Sequence, residues 1–371
     1  MKILHLPTSV GGNAWGLSRG ERALGLDSSV LVLAQNWLNY PADINLNLQD
    51  IASGAGKIMK LLSAFLSVRK KYDVLHFNFG RSLFSFPYHS IPRLPSFLKH
   101  FNHLDVPFYP ETSRLFVTYN GCDARQKYPT VQRTATAACH NENCSGGICN
   151  SGKLDEFKRC GIERMRRHVN HVWALNPDLL YFLPKEKSSF LPYATLGDGH
   201  EPSPPKLGKK LKIIHAPTNK EAKGSDGILS ALQDVRKTHA EFIDVQLIEN
   251  VPHAQALKMY READLVIDQI LIGWYGGFAV EVMKMGKPVI ARVAKEDLHF
   301  LPAKMAQDVQ EAIITAEKDT LYETLIRCIE DRTFLKRRAD ASREYAHAWH
   351  DPKYVASLTR EKYETVSSGN H

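Results

Sequence analysis

The 371 residues carry 48 Lys and Arg against 40 Asp and Glu, a formal net charge of +8, with 43% hydrophobic and 24% charged residues. That balance is the balance of a globular protein and excludes disorder throughout; short disorder is expected only at the polar end Ser367–His371. The length exceeds one ordinary core and fits two domains. No run reaches the roughly 18 apolar residues that span a bilayer. The opening MKILHLPTSVGG lacks the basic region and cleavage site of a secretory leader, so a cytoplasmic protein is expected. The positive charge admits nucleotide phosphates, nucleic acid or an anionic membrane face. No nucleic-acid motif is present and the basic residues are scattered, so no nucleic-acid partner is expected.

In chain order, Lys2-Ile-Leu-His-Leu-Pro-Thr8 recurs as Lys212-Ile-Ile-His-Ala-Pro-Thr218. Each copy is an apolar strand pattern ended by Pro and followed by a Gly-bearing loop and a helical pattern, the way a doubly wound α/β unit opens. Two such openings predict two Rossmann-like domains. Lys57–Lys71 (KIMKLLSAFLSVRKK) fits either a helix lying on a membrane surface or an amphipathic helix packed on its own domain. Further strands are predicted at Ser29–Leu33, Val74–Asn78, Leu115–Tyr119, His171–Leu175, Asp244–Glu249, Leu265–Asp268 and Pro288–Arg292. Helices are predicted at Ala254–Ala263, Phe278–Met285 and Lys353–Thr365. This alternation implies mainly parallel sheets. The Pro-rich segment Glu201–Gly208 reads as an interdomain linker. The expected division is therefore 1–200, 201–350 and a final helix within 351–371.

Parallel α/β sheets bind ligands beyond the carboxyl ends of their strands. In the second half those ends carry His215–Gly224, Asp268-Gln269 and Gly273-Trp-Tyr-Gly-Gly-Phe-Ala-Val-Glu281. Lys223, ahead of Gly224 and a helix start, suits a diphosphate or a solvated turn. Gly276 and Gly277 let backbone N–H groups approach a ligand. Glu281 in the first turn either stabilises the helix dipole or accepts hydrogen bonds from ribose hydroxyls.

The run His215–Val289 resembles the donor domain of the large retaining GT-B glycosyltransferase family that includes many bacterial polysaccharide transferases. The resemblance rests on His215–Asn219 with Lys223-Gly224, on Val251-Pro252-His253 through Tyr260 and Ala263-Asp264, and on Asp268 through Val289. It extends thinly to Gly11-Gly12, to Asn120–Arg125 and to His350-Asp351-Pro352. It implies two Rossmann-like doubly wound parallel-sheet domains facing across a cleft, with the final helix crossing back to the first. The implied activity is metal-independent transfer of a sugar from a nucleoside diphosphate sugar to a hydroxyl acceptor. Lys223 and Glu281 would serve the donor diphosphate and ribose. Thr218, Asn219, Gly276, Gly277 and Phe278 would line the donor, and Gly11 and Gly12 would approach its phosphates. The family's proton acceptor is thought to be the leaving phosphate, in a front-face attack. Two departures stand out: the family's first glutamate falls on Gly273, and its cation before the lysine falls on Thr218. The family's N-domain histidine falls on Asn120.

On the acceptor side, His76 and Arg81 follow a strand and are candidates together with Asn120, Asp123 and Arg125; polar loop residues satisfying the backbone are the alternative. Cys139, Cys144, Cys149 and Cys160 allow a structural zinc site, free thiols or disulfides. The rival functions are a catalytically silent nucleotide-binding subunit, a nucleotide-sugar epimerase and a phosphorylase. The expected partners are a nucleotide sugar and a sugar or glycoconjugate acceptor, with membrane contact at the inner face.

Overall fold

The computed structural model describes residues 1–35, 39–195 and 201–365; the end Ser367–His371 and residues 196–200, where one domain edge is expected, lie outside them. The chain divides into two units, one of Met1–Tyr128, Ile148–Leu196 and Pro352–His371, the other of Pro129–Gly147 and Gly197–Asp351. The contiguous division expected at residue 200 therefore differs in one segment. Residues 129–147 belong with the second unit, held there by an Arg133–Asp297 ion pair at 3.0 Å and an Asn219–Ser145 hydrogen bond at 3.0 Å.

In the first unit the strands are β1 (Lys2–Leu6), β2 (Asp27–Val32), β3 (Ile44–Asn45), β4 (Val74–Asn78), β5 (Arg114–Tyr119), β6 (His171–Ala174) and β7 (Ser188–Phe190). They form one sheet in the order β3-β2-β1-β4-β5-β6-β7, and every pairing is parallel. The helices are α1 (Asn13–Ala23), α2 (Gly54–Val68) and α4 (Lys153–His168), while α3 (Lys127–Arg133) runs on into the segment counted with the second unit. All five residues of β4 are buried, as a parallel strand covered on both faces requires. The two-residue β3 and the Ser-Ser-Phe β7 had no alternation to announce them.

The second unit has β8 (Leu211–His215), β9 (Ile243–Leu247), β10 (Leu265–Gln269), β11 (Val289–Ala291) and β12 (Ile313–Thr315). Their order is β12-β11-β10-β8-β9, again parallel throughout. The helices are α5 (Lys220–Lys223), α6 (Ser225–His239), α7 (His253–Tyr260), α8 (Gly277–Lys284), α9 (Ala303–Ala312), α10 (Leu321–Glu330) and α11 (Arg332–Trp349). Leu211 and Ile213 of β8 and Leu265 and Ile267 of β10 join Ile228, Leu232 and Val235 of α6 in one core with Leu321 and Leu325 of α10. The intervening Ile214 and Val266 are fully buried as well, so both sheet faces are covered.

The sequence repeat has a physical reason. His5 on β1 and His215 on β8 are both fully buried and each fastens its strand to the next long helix. His5 Nε2 lies 2.8 Å from a Glu21 carboxylate oxygen of α1, and His215 Nε2 lies 2.8 Å from the Ser225 hydroxyl of α6.

The last helix, α12 (Pro352–Thr365), is counted with the first unit. Its Tyr363 is fully buried, with its hydroxyl 2.6 Å from His76 Nδ1 and its ring against Phe116 and Trp173. The crossing of α1 and α12 needs Gly20, because a Cβ there would stand 2.0 Å from the Pro352 carbonyl oxygen. Backbone cannot yield as a side chain can. Gly20→Val is therefore expected to destabilise the fold by about 2–3 kcal/mol, the upper range for overpacking, in urea titrations. Unchanged stability would show that the helices do not cross this closely.

Candidate functional site

Both sheets reverse their strand order at one point, between β1 and β4 in the first and between β8 and β10 in the second. Helices on either side of such a point diverge and leave a crevice beyond the strand ends. In the second unit that crevice is built around Asp268. It sits at the end of β10 with a fully buried side chain, and one carboxylate oxygen is ion-paired with Lys223 Nζ, at the end of α5. Its other oxygen accepts the Gly276 N–H at 2.8 Å. A carboxylate so buried is tolerable only when paired and hydrogen-bonded, so Asp268 fixes a cation and a loop at one place.

The loop between β10 and α8 is rigid for a reason visible in Gln269. Its fully buried amide donates to the carbonyls of Trp274 (3.1 Å) and Arg292 (2.8 Å) and accepts the Ile272 N–H at 2.6 Å. Trp274 and Tyr275 turn inward and are buried, the Tyr275 hydroxyl lying 2.8 Å from His350 Nε2. At the start of α8, helix geometry leaves the N–H groups of Gly277 and Phe278 without carbonyls inside the helix. Gly276 differs from expectation: Asp268 takes its N–H, so it serves as a fastening.

Glu281, one turn into α8, is buried and bonded at 2.7 Å to His253 Nε2, the first residue of α7. Beside it Tyr260 packs against Phe278 with tilted rings whose centroids are 4.7 Å apart. Lys284, one turn further, is pushed down to about 8 by burial, against the pull of Asp351 and Glu281. Lys223, Asp268, Gly276–Phe278, Glu281 and His253 thus gather around one strand end and one helix start. His253 and Asp268 carried no assigned role from sequence; the signal for Asp268 was its place at the end of an apolar strand.

Other expectations change. Thr218 is exposed, and Asn219 caps α5 by accepting the Ala222 N–H at 2.8 Å. Gly273 has φ +85°, and a Cβ there would lie 2.8 Å from Arg292 Nη1. Any residue other than glycine would be strained at that φ, and its side chain would have to displace the Arg292 guanidinium, itself paired with Glu317 at 3.0 Å.

In the first unit Gly11 and Gly12 form the turn after β1, and the Gly12 N–H is already donated to the Ser9 carbonyl at 3.1 Å. His76 faces the core, not a crevice: it is fully buried between Tyr363 and Thr118, with both ring nitrogens at 2.6 Å from hydroxyls. Burial drives its pKa well below 6.5. Asp123 accepts the N–H groups of Asn120 (2.8 Å) and Gly121 and so folds that turn; burial lifts it to about 6 against these hydrogen bonds. Arg125 forms a buried two-pronged pair with Asp178 at 2.6 and 2.8 Å. All three side chains are thus engaged within their own unit.

What remains is a set of buried polar atoms without partners among the described residues: Ser9 Oγ, Asn13 Nδ2, Asn78 Oδ1, Arg81 Nε, Tyr119 OH and Asn120 Oδ1. Ser9 and Asn13 follow β1, Asn78 and Arg81 lie at the end of β4, and Tyr119 and Asn120 at the end of β5. Unpaired buried polar atoms are rare and call for a ligand or ordered water. They cluster at these strand ends; sequence reasoning found Arg81 and Asn120 and missed the others.

The zinc expectation is not met by the side-chain arrangement. All six cysteines are thiols, and among the described residues no three His, Cys, Asp or Glu side chains gather as a metal requires. Cys139 and Cys144 belong to the second unit, Cys149 and Cys160 to the first.

Burial alone would lower the His253 pKa, but the hydrogen bond and charge of Glu281 outweigh it and the pKa rises above 6.5. A folded pKa above the unfolded one gives stability that is full below about pH 6.5 and is lost as pH rises through the folded value. Glu281→Gln should thus cost more stability at about pH 6 than at about pH 9, by urea titration at both. Equal losses would mean that this pair does not titrate.

No protein-family model matches the chain, and no curated protein matches its sequence. Solved structures do match. The catalytic domain of starch synthase IV from Arabidopsis thaliana, bound to ADP and acarbose, aligns over 100% of both chains with a TM-score of 0.62 at 11% identity. HepE from Anabaena, in complex with UDP and glucose, aligns over 100% of both with a TM-score of 0.60 at 14% identity. The UDP-GlcNAc 2-epimerase from Neisseria meningitidis, bound to UDP-GlcNAc, covers 98% of this chain and 100% of its own, with a TM-score of 0.51 at 12% identity. At such identities the likeness is one of architecture: two parallel-sheet α/β units, the GT-B fold.

Proposed function

We propose that this protein is a retaining glycosyltransferase that moves a sugar from a nucleoside diphosphate sugar to a hydroxyl acceptor in the cytoplasm, in the synthesis of a surface polysaccharide or another glycoconjugate. The observation that carries the reading is the convergence of Lys223, the start of α8 and Glu281 at the point where the second sheet reverses order. A diphosphate needs a fixed cation and free N–H groups, and Lys223 with Gly277 and Phe278 supplies both. Glu281 offers its carboxylate to two vicinal ribose hydroxyls, and His253 orients it. The unpartnered polar atoms at the strand ends of the first unit suit the hydroxyl groups of an acceptor. The acceptor oxygen bonds to the anomeric carbon as the bond from that carbon to the phosphate oxygen breaks, and the hydroxyl proton passes to the departing phosphate. Lys223 stabilises the charge that gathers there. No protein nucleophile and no metal enters this scheme.

The likeness to an epimerase keeps a second reaction in view, and product analysis separates the two. Nucleoside diphosphates are expected to raise the melting temperature, since a ligand at about 100 times its Kd adds about 2.7 kcal/mol; a panel of UDP, GDP, dTDP and ADP identifies the base. With the matching sugar nucleotide, a glycosylated acceptor or slow donor hydrolysis is expected. An epimerised sugar nucleotide as sole product would replace transfer with epimerisation. Lys223→Met alone strands Asp268, so Lys223→Met with Asp268→Asn is the cleaner variant. It should weaken nucleoside diphosphate binding by about 1.5–3 kcal/mol, the worth of a charge-assisted hydrogen bond, in calorimetry. Unchanged affinity would remove Lys223 from the site.

A further inference from the structure

Exposed large hydrophobic side chains are unevenly placed on this protein. Of the ten among the described residues, eight lie between Ile58 and Phe108 of the first unit. Helix α2 buries Ala64, Phe65 and Val68 against its unit, yet it also exposes Ile58 (60%), Met59 (65%), Leu62 (42%) and Leu66 (58%). Residues 58, 62 and 66 follow each other at four-residue spacing, with 59 beside them, so they form one outward stripe. A helix that only packs on its own domain shows polar residues there. α2 therefore has an apolar arc wider than the fold uses.

The stripe has neighbours of the same kind. Phe65 packs on Tyr109 with ring centroids 5.1 Å apart, which sets α2 beside the turn that carries Phe108 (60% exposed). Phe97 and Phe101, at 62% and 50% exposure, meet edge to face nearby in sequence, and Leu104 is exposed between them and that turn. Cations flank these residues. Lys60, Lys70 and Lys71 are exposed around α2. The segment that carries Phe97 and Phe101 also lines a cavity of about 440 Å³ with the end of α4. There Lys99, Arg159, Arg164 and Arg167 stand near Glu163, which is already bonded to Arg166 and Arg167 at 2.7 and 3.0 Å, while Lys99 pairs with Glu156 at 3.2 Å. Apolar side chains rimmed by cations match an anionic bilayer, whose acyl boundary takes the one and whose phosphates take the other. Among the described residues no helix is long and apolar enough to cross a membrane.

We propose that this face of the first unit docks on an anionic phospholipid surface, with the α2 stripe and Phe97–Phe108 at the acyl boundary and a lipid phosphate in the basic cavity. The contact lies on the surface and does not span the bilayer. It decides between the two readings of Lys57–Lys71 by geometry: the helix packs on its domain through one side and keeps a second apolar side outward.

Co-sedimentation of the full chain with vesicles tests this. Binding is expected to vesicles of phosphatidylcholine with about one third phosphatidylglycerol and not to phosphatidylcholine alone, and it should weaken with added salt. Ile58→Glu with Leu62→Glu should lower the partition coefficient about tenfold or more, because both positions are exposed and the change removes apolar contact. Arg159→Glu with Arg167→Glu should abolish the preference for anionic vesicles. The Lys223→Met, Asp268→Asn protein should bind vesicles as the unmodified chain does, so a failure of the donor-site reading leaves this result standing. No binding to anionic vesicles, or binding that ignores Ile58→Glu with Leu62→Glu, overturns the proposal. So does a dimer in ultracentrifugation that Leu62→Glu dissociates while vesicle binding is absent, since the stripe is then covered by a second copy.

Discussion

A carboxylate stripped of water must be matched atom by atom, and Asp268 is where this protein accepts that obligation. Neither oxygen is left over: one holds Lys223, the other the Gly276 N–H. These partners come from segments that follow different strands, β8 and β10, so satisfying one buried charge also sets the distance between a cation and a helix start. Removing a single partner of a buried pair typically costs about 3–5 kcal/mol, which makes the arrangement hard to relax. The geometry of the second unit's crevice depends on that obligation being met.

The polar groups around Asp268 and those at the ends of β1, β4 and β5 are treated differently. Around β8 and β10 they are closed: His215 uses both ring nitrogens, Gln269 makes three hydrogen bonds, and Glu281 has His253. Around β1, β4 and β5 several side chains stop short of any partner. A closed network rigidifies a site before its ligand arrives and limits reorganisation on binding. An open one keeps unpaired donors and acceptors for groups that a ligand brings, as a hydroxyl-rich molecule does. Under the proposed function, the contrast suits a diphosphate bound in the second unit and a hydroxyl-bearing acceptor in the first.

The strands and helices of the second unit were legible because both faces of its sheet are covered. Its central strand therefore reads as an unbroken apolar run, Leu265-Val266-Ile267, and the starts of α6, α7, α8 and α9 are marked by glycine or proline. The short edge strands were not legible, because a three-residue strand such as Ser188–Phe190 owes its conformation to the neighbour it pairs with. Lys223 and Glu281 were legible from their place after strand ends and near helix starts. Asp268 was visible in the same way, but its role depends on which atoms lie within hydrogen-bond reach.

The sequence by itself determined the doubling of the α/β unit, since a strand closed by His and Pro ahead of a helix is local chemistry that recurs wherever the pattern is written. It determined the apolar runs, and with them the sheets. Only the tertiary structure decided which polar residues are structural: His76 is spent on Tyr363, 287 positions away, and Arg125 on Asp178, 53 positions away. It also decided that 129–147 joins the second unit and that Arg292 fills the space beside Gly273. Each is a contact between segments distant in the chain, and local pattern carries no information about which distant partner a polar side chain will meet.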